Sequence, residues 1–145
     1  MSRYALCTRR RRGGQAGQSL VEFAIVLPAL LALVVGIFEF GRSWNVYQVI
    51  TNAAREGARL AVVPTSSEAT VRSTIEDALT RAALDPAIGT ISVSGMSAGT
   101  GTPTTVQIDY PYEFAFLGPI VDLLGDGGGI PGSITLSTTV VMRNE

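Results

Sequence analysis

The sequence predicts an α+β protein, in which a long N-terminal helix carries a small head made of a second helix and an antiparallel sheet of about three strands. Three observations predict this fold class. Residues 20–38 form an apolar run with a single charge, residues 42–63 return apolar side chains at helical spacing, and the segments after residue 90 alternate apolar and polar residues. The expected division is a basic leader (1–17), the long helix (18–63) and the head (64–145).

The apolar run is long enough to cross a bilayer. Residues 20–38 would rise roughly 29 Å as a helix, close to the ~30 Å thickness of the hydrocarbon layer. Arginines at positions 3 and 9–12 precede the run, and a Glu39/Arg42 pair follows it. This asymmetry predicts a cytoplasmic N-terminus and an extracytoplasmic segment after Arg42. A cleaved secretory signal is less favoured, because the run is long and lacks a small-x-small cleavage site. The short arginine block is not expected to bind nucleic acid.

Two features of the apolar run invite a functional interpretation. Small residues recur every fourth position and would let another membrane helix approach closely, although membrane helices are rich in such residues in any case. Glu22 is an ionisable group near the hydrocarbon edge, which either has a partner or extends to the headgroups without any function. Pro28 is expected to kink or loosen the helix. The small stripe consists of Ala24, Pro28, Ala32 and Gly36.

The long helix is expected to continue beyond the membrane as a stalk, residues 39–63, ending before Pro64. Its charged residues Arg55, Glu56 and Arg59 form either a docking patch or an ordinary solvated face with an intrahelical Glu56–Arg59 pair. Gly57 costs about 1 kcal/mol relative to alanine inside a helix. Close packing against the head or a partner helix would explain this glycine.

The head begins with a second helix and continues with strands. Thr65 and Glu68 have capping-box spacing, and an apolar stripe runs from Val71 to about Leu84. Alternation then predicts strands around residues 91–93, 106–110 and 134–142. Residues 95–103 should connect the first two strands, and residues 115–132 should hold a short helix (119–124) and a glycine turn, or an exposed loop that binds a partner.

The composition excludes most catalytic chemistry. The chain has no histidine, all 11 of its basic residues are arginine, and its one cysteine, Cys7, lies in the leader. A Ser-His-Asp triad, a Cys/His zinc site and a P-loop lysine are therefore impossible. Asp122 and Asp126 lack further ligands for a cation, and the adjacent Glu76 and Asp77 diverge on a helix. We expect no enzyme activity, no cofactor, no metal and no small-molecule substrate.

The start of the helix resembles a known processing site. The basic leader, then Gly17, then QSLVEF with Glu22, then an apolar helix resembles type IV prepilins and pseudopilins. In that family a membrane peptidase cuts after the glycine, and the glutamate pairs with the new N-terminal amine of a neighbouring subunit. The resemblance implies a cut between Gly17 and Gln18. Pairing would reduce the cost of two opposite charges at the membrane edge.

Further residues narrow the resemblance to one family. Together with Gly17-Gln18 and Val21-Glu22-Phe23, the segments Leu27-Pro28, EFGR at 39–42 and NAAREGAR at 52–59 resemble the N-terminal domain of the TadE-like family, pseudopilins of the tight-adherence pilus system. The resemblance covers residues 16–63. It implies a pilin-like helix that takes part in Flp-type pilus assembly or secretion.

The resemblance also implies partners and a location. The partners would be membrane lipid, the prepilin peptidase, other pilins or pseudopilins and the pilus assembly machinery. The location would be the bacterial cytoplasmic (inner) membrane, with a single pass. The alternatives are an uncleaved single-pass anchor whose head binds an envelope partner, and a membrane-tethered hydrolase that would depend on Asp122 or Glu76.

Overall fold

A computed structural model describes residues 13–96, 98–116 and 132–144. The predicted α+β class is confirmed. A 49-residue helix, α1 (Gly13–Ala61), is followed by α2 (Glu68–Arg81), a 3₁₀ turn (Pro86–Ile88) and three strands, β1 (Thr90–Ser94), β2 (Pro103–Glu113) and β3 (Ser133–Arg143). The chain forms two compact units, and the boundary between them lies within α1, between Gly36 and Ile37. The second of these, from Ile37 onward, is called the globular unit below.

The sheet is antiparallel in the order β1-β2-β3. Val93 pairs with Val106, and Val106 pairs with Val140, so that apolar side chains of all three strands stand side by side on one face. Burial along β2 alternates as a period of two requires, from Thr104 to Tyr112. The predicted alternation therefore identified the strands and the face that packs on the helices.

The core of the globular unit lies between this sheet face and the two helices. From α1, small side chains and one isoleucine are buried, which lets α2 and the sheet approach the helix backbone closely. The buried hydrophobic residues of the core are Ile50, Ala53, Ala54, Ala58 and Ala61 of α1, Val71, Ile75 and Leu79 of α2, and Ile91, Val106, Ile108 and Tyr110 of the sheet.

The end of α1 and the start of α2 differ slightly from the sequence expectation. The long helix ends at Ala61, two residues before the expected Val63. The second helix is capped by Ser67, whose hydroxyl accepts a 3.2 Å hydrogen bond from the Thr70 backbone N–H, so the expected Thr65 cap is wrong. Ser67 occupies the N-cap because Glu68 is already helical and pairs with Arg72, one turn on, at 3.7 Å.

The connection between β1 and β2 was expected at residues 95–103 and ends at residue 102, because β2 begins at Pro103; Gly95, Gly99 and Gly101 in it have positive φ. Gly95 is required there, since an added Cβ would lie 2.3 Å from the Pro103 carbonyl oxygen. The Asn144 side-chain amide donates to the Gly95 carbonyl at 3.0 Å and so ties the connection to the end of β3. The helix expected at 119–124 and most of the loop expected at 115–132 lie outside the described residues.

Candidate functional site

The predicted processing residues lie within α1. Gly17 and Gln18 are exposed and helical, and no atom lies within 4 Å of the position that a Cβ on Gly17 would take. Glu22 is exposed, and its Oε1 accepts a 3.2 Å hydrogen bond from the Gln18 side-chain amide. The structure therefore brings Gln18 and Glu22 together on one helix face, one turn apart.

The predicted stripe of small residues is open to a partner. Ala24, Pro28 and Ala32 are exposed and Gly36 is half-buried. The helix runs through Pro28 without interruption, although proline cannot donate the usual hydrogen bond to the carbonyl one turn before it. Within the described residues, one helix, Gly17–Ala61, is long and apolar enough to cross a membrane, and its most apolar window is not buried.

The charged residues of the stalk point to solvent. Arg55, Glu56 and Arg59 are exposed, and no ion pair within 4 Å joins Glu56 to Arg59 in the described part of the chain. The expected intrahelical pair is therefore not formed. The three side chains leave an unpaired charged strip on the face of α1 that points away from the core.

Gly57 lies on the opposite face and has the packing role that its cost in a helix suggested. A Cβ at this position would lie 2.5 Å from Cδ1 and 2.7 Å from Cγ1 of Ile75, and 3.6 Å from Cγ1 of Val71. Ile75 is fully buried, so it has little room to move. Among the glycines of α1 that the structure describes, Gly57 is the one that lies closest to α2. It belongs to the core, not to an exposed docking patch.

Sequence reasoning missed a buried carboxylate just beyond the apolar run. Glu39 is 1% exposed. Its Oε2 accepts a 3.0 Å hydrogen bond from the Tyr112 hydroxyl, and its Oε1 accepts one from the Phe116 backbone N–H. The Arg42 guanidinium lies 3.8 Å from the carboxylate and 5.9 Å from the centre of the Tyr112 ring. We call Glu39, Arg42, Tyr112 and Phe116 the Glu39 cluster.

A sequence signal for this burial exists. Glu39 precedes Val46 by seven residues and Ile50 by eleven, so helical periodicity places it on the face that enters the core. The apolar stripe of the stalk, extended by two turns toward the N-terminus, leads to Glu39. What the periodicity could not reveal is the pair of donors, which come from β2 and the segment that follows it.

The Glu39 carboxyl is ionised at neutral pH. Burial raises the pKa of Glu39, because the charged form loses its water. The hydrogen bonds from Phe116 and Tyr112 and the charge of Arg42 outweigh burial, so the pKa of Glu39 lies below its ordinary value. Glu39 belongs to the globular unit and follows the apolar run of residues 20–38. The cluster thus joins the start of the stalk to the end of β2 through a charged acceptor.

The buried hydrogen bond from Tyr112 to Glu39 predicts that the protein loses stability at alkaline pH. Burial, the hydrogen bond to Glu39 and the Glu39 charge raise the pKa of Tyr112, and burial raises the pKa of Tyr110. Because the folded state holds these protons more tightly than the unfolded chain, stability is full below the ordinary tyrosine pKa of about 10 and falls as the pH rises through it. Thermal unfolding of the full chain in detergent, measured from about pH 9 to 11, should show this decline.

The Tyr112→Phe variant should have a shallower alkaline decline than the wild type, and Tyr110→Phe/Tyr112→Phe the shallowest. An equal decline in all three proteins would show that neither hydroxyl is responsible. At neutral pH the stability of Tyr112→Phe will already differ from that of the wild type. The comparison therefore uses how steeply the midpoint of thermal unfolding falls with pH, and not the midpoint itself.

The described residues contain no group of three or more Cys, Asp or Glu side chains placed to hold a metal ion. Asp122 and Asp126 lie outside those residues. A groove of about 280 Å³ runs beside the end of α1 and the connection between β1 and β2, and its lining has no ionisable side chain. It is lined by Ala61, Val62, Val63, Pro64, Ser66, Met96, Gly99, Thr100 and Asn144.

Comparison with known proteins identifies the long helix. Residues 17–59 match the model of a family described as TadE-like protein. The match confirms the resemblance expected from the sequence, begins at Gly17 and ends at Arg59. No curated protein and no solved structure matches the chain. Residues 17–59 are therefore TadE-like, and they lie within the helix that is long and apolar enough to cross a membrane.

Proposed function

We propose that this chain, whose N-terminal segment is TadE-like, is a pseudopilin-like membrane protein that takes part in the assembly of a tight-adherence pilus or in secretion. A prepilin peptidase would mature it between Gly17 and Gln18. The observation that carries the proposal is the family match, which starts at the glycine where the cut is expected and covers Glu22, the stripe of small residues and the charged strip.

The geometry around Gly17 supports cleavage after local unwinding. Peptidases act on extended backbone, whereas the Gly17–Gln18 bond lies in the second turn of α1, which begins at Gly13. Unwinding at this point is made easier by Gly17, because glycine disfavours the helix by about 1 kcal/mol relative to alanine. In addition, no described atom packs against Gly17. The processing site can therefore open without disturbing the core of the globular unit.

Glu22 keeps a charge that a sibling subunit could neutralise. Its one recorded hydrogen bond among the described residues comes from the neutral amide of Gln18. An amide satisfies one lone pair of a carboxylate but does not balance its charge. Near the hydrocarbon edge, the N-terminal amine of a matured neighbour would balance it. The exposed stripe of Ala24, Pro28, Ala32 and Gly36 supports close packing of the two helices.

The first test is the N-terminal residue of the mature protein. The full chain is recovered from membranes of cells that also produce a prepilin peptidase, and its intact mass is measured. We expect a chain that begins at Gln18. The mass also separates a free N-terminal glutamine from its cyclised form, which has lost ammonia. Only the free amine can pair with a carboxylate, so this distinction bears directly on the role of Glu22.

Variants separate cutting from assembly. Gly17→Val should leave the leader attached, whereas the matched control Gly14→Val should be cut normally. Glu22→Ala should be cut but should lose crosslinking between the helices of neighbouring subunits. A wild-type chain that still carries arginines 9–12 would contradict the proposal and favour the alternative, an uncleaved single-pass anchor whose head binds an envelope partner.

The proposal extends to location and partners. The arginine-rich side would face the cytoplasm and the globular unit would lie outside the bacterial inner membrane. Its partners would be lipid, the prepilin peptidase, sibling pilins or pseudopilins and the assembly machinery. The chain would be the substrate of an enzyme and not an enzyme itself. The charged strip of Arg55, Glu56 and Arg59 is exposed and lacks internal ion pairs, so it is available for docking.

A further inference from the structure

A ladder of aromatic rings follows the apolar run on one face of α1. The rings of Phe40 and Trp44 are stacked with their centres 6.2 Å apart, and the rings of Trp44 and Tyr47 are 5.8 Å apart. Phe40 is 68% exposed and Trp44 is 52% exposed, while Tyr47 is half-buried. We call these three residues the aromatic ladder.

The ladder is one-sided. A neighbouring face of the same turns is covered, since Glu39 and Ile50 are buried and Val46 packs against the core, as Tyr47 does in part. Large aromatic rings would also fit against the head, yet the helix turns small and aliphatic side chains toward the core and leaves Phe40 and Trp44 outside. The exposure of the ladder is therefore a consequence of how α1 packs.

The Glu39 cluster brings a further ring to the same end of the globular unit. The backbone N–H of Phe116 donates to the Glu39 carboxylate, and the Phe116 side chain is 52% exposed. A buried, charged acceptor thus holds an exposed aromatic residue of a distant segment next to the first turn after the span. This arrangement gives the cluster a role beyond stability.

Exposed apolar side chains are concentrated at this end. Within the described part of the globular unit, eight large hydrophobic residues are exposed, and five of them belong to residues 37–44 or to the Glu39 cluster. The five are Ile37, Phe38, Phe40, Trp44 and Phe116, and the other three are Val63, Ile88 and Val141. Exposed large apolar side chains that are concentrated at one end of a unit are a feature of binding surfaces.

We propose that Phe40, Trp44 and Phe116 seat the globular unit in the headgroup region of the lipid bilayer. This inference rests on the membrane-spanning role of residues 20–38 but not on processing at Gly17. Trp44 is six residues past the end of the apolar run, roughly 9 Å along the helix. The headgroup region is about 5–7 Å deep on each side of the hydrocarbon. Helical side chains lean toward the N-terminus, here toward the membrane, which carries the indole into that layer.

The chemistry of the surface favours lipid over a second protein helix. Tryptophan and tyrosine are enriched at membrane interfaces because an apolar ring and a polar edge meet both phases there. The three residues of the ladder are uncharged, and the half-exposed Arg42 in the same turns is paired with Glu39, so the surface needs no anionic lipid. The ladder also begins only two residues after the apolar run of residues 20–38 in the sequence.

Trp44 reports on its own environment, because it is the one tryptophan of the chain. The full chain is reconstituted into phosphatidylcholine vesicles at low protein density, with lipids brominated either near the glycerol end or near the methyl end of the acyl chain. We expect bromine near the glycerol end to quench Trp44 at least about twofold more than bromine near the methyl end, as a position at the interface requires. Acrylamide in the water should quench Trp44 weakly.

The control moves the tryptophan along the stalk. In Trp44→Phe/Val63→Trp the indole replaces an exposed residue beyond the end of α1, roughly 25 Å farther from the membrane at the helical rise. Bromine at either position should leave this protein unquenched, and acrylamide should quench it strongly.

Three outcomes would overturn the inference. The first is that brominated lipid quenches Trp44 no more strongly than it quenches the tryptophan of the control. If the span is still protected from protease in that case, the membrane assignment stays intact. The second is a shift in Trp44 emission, and protection of Trp44 from acrylamide, that appear only at high protein density. That result would assign the ladder to a second copy of the chain. The third is a chain that does not float with vesicles at all, which would also remove the membrane-spanning role.

Discussion

Replacing Glu39 with alanine is expected to destabilise the globular unit by about 2–3 kcal/mol, because it leaves the buried Tyr112 hydroxyl and the Phe116 N–H without their acceptor. For a unit of this size, that loss should lower the midpoint of thermal unfolding by about 10 °C. The measurement is thermal unfolding of the full chain in detergent by circular dichroism. The matched control is Glu56→Ala on the same helix, which removes an exposed carboxylate without an ion pair and should shift stability by less than about 0.5 kcal/mol.

A conservative variant separates hydrogen bonding from charge. In Glu39→Gln the amide oxygen can still accept from Phe116, and the amide N–H can donate to the Tyr112 oxygen if that hydroxyl turns around. We therefore expect Glu39→Gln to cost less than about 1 kcal/mol, the value of a half-exposed ion pair with Arg42. If Glu39→Gln were as damaging as Glu39→Ala, the charge itself and not the hydrogen bonds would hold the cluster together.

A double-mutant cycle with Tyr112→Phe completes the test. If the two residues stabilise the fold through their mutual contact, the double variant should lose less stability than the sum of the two single losses. Strict additivity would mean that Tyr112 and Glu39 act independently, contrary to the 3.0 Å hydrogen bond.

Replacing Gly57 with alanine should destabilise the protein although alanine is the better helix former. The added methyl would lie 2.5 Å from Cδ1 of a fully buried Ile75, and overpacking of this kind costs about 1–3 kcal/mol. Helix propensity returns about 1 kcal/mol, so we expect a net loss of up to about 2 kcal/mol. Thermal unfolding of the full chain measures it.

Gly41 is the matched control, since it lies in the same helix and no atom approaches the position of its absent Cβ within 4 Å. Gly41→Ala should be neutral or stabilising by up to about 1 kcal/mol. In addition, Gly57→Ala/Ile75→Val removes Cδ1, the nearer of the two Ile75 atoms that clash, and it should be more stable than the sum of the two single changes predicts. A Gly57→Ala protein as stable as Gly41→Ala would refute the close contact between α1 and α2.

The contact between α1 and α2 and the Glu39 cluster support different parts of the proposed function. Gly57 and Ile75 hold α1 against α2. The Glu39 cluster holds the segment after β2 beside the membrane end of the stalk, where the aromatic ladder lies. Loss of either contact would leave the span and the processing site chemically intact, which allows effects on assembly to be separated from effects on cleavage.

Local patterns in the sequence determined most of the fold. The helical periodicity, the apolar run of residues 20–38 and the alternation in the strands depend on neighbours within one or two turns, so α1, α2 and the three-stranded sheet could be predicted. Gly57 could also be identified as unusual, because the cost of glycine in a helix is a local property. The N-terminal motif was specific enough to identify the TadE-like segment.

The tertiary structure decided which side chains meet. Ser67 and not Thr65 caps α2, because Glu68 already lies in the first turn of the helix. Glu56 and Arg59 have the spacing of an ion pair, but solvation of two exposed charges competes with their contact. The Glu39 cluster joins residues 73 or more positions apart. No local pattern encodes such a contact, because a buried charge is tolerated only where distant donors converge on it.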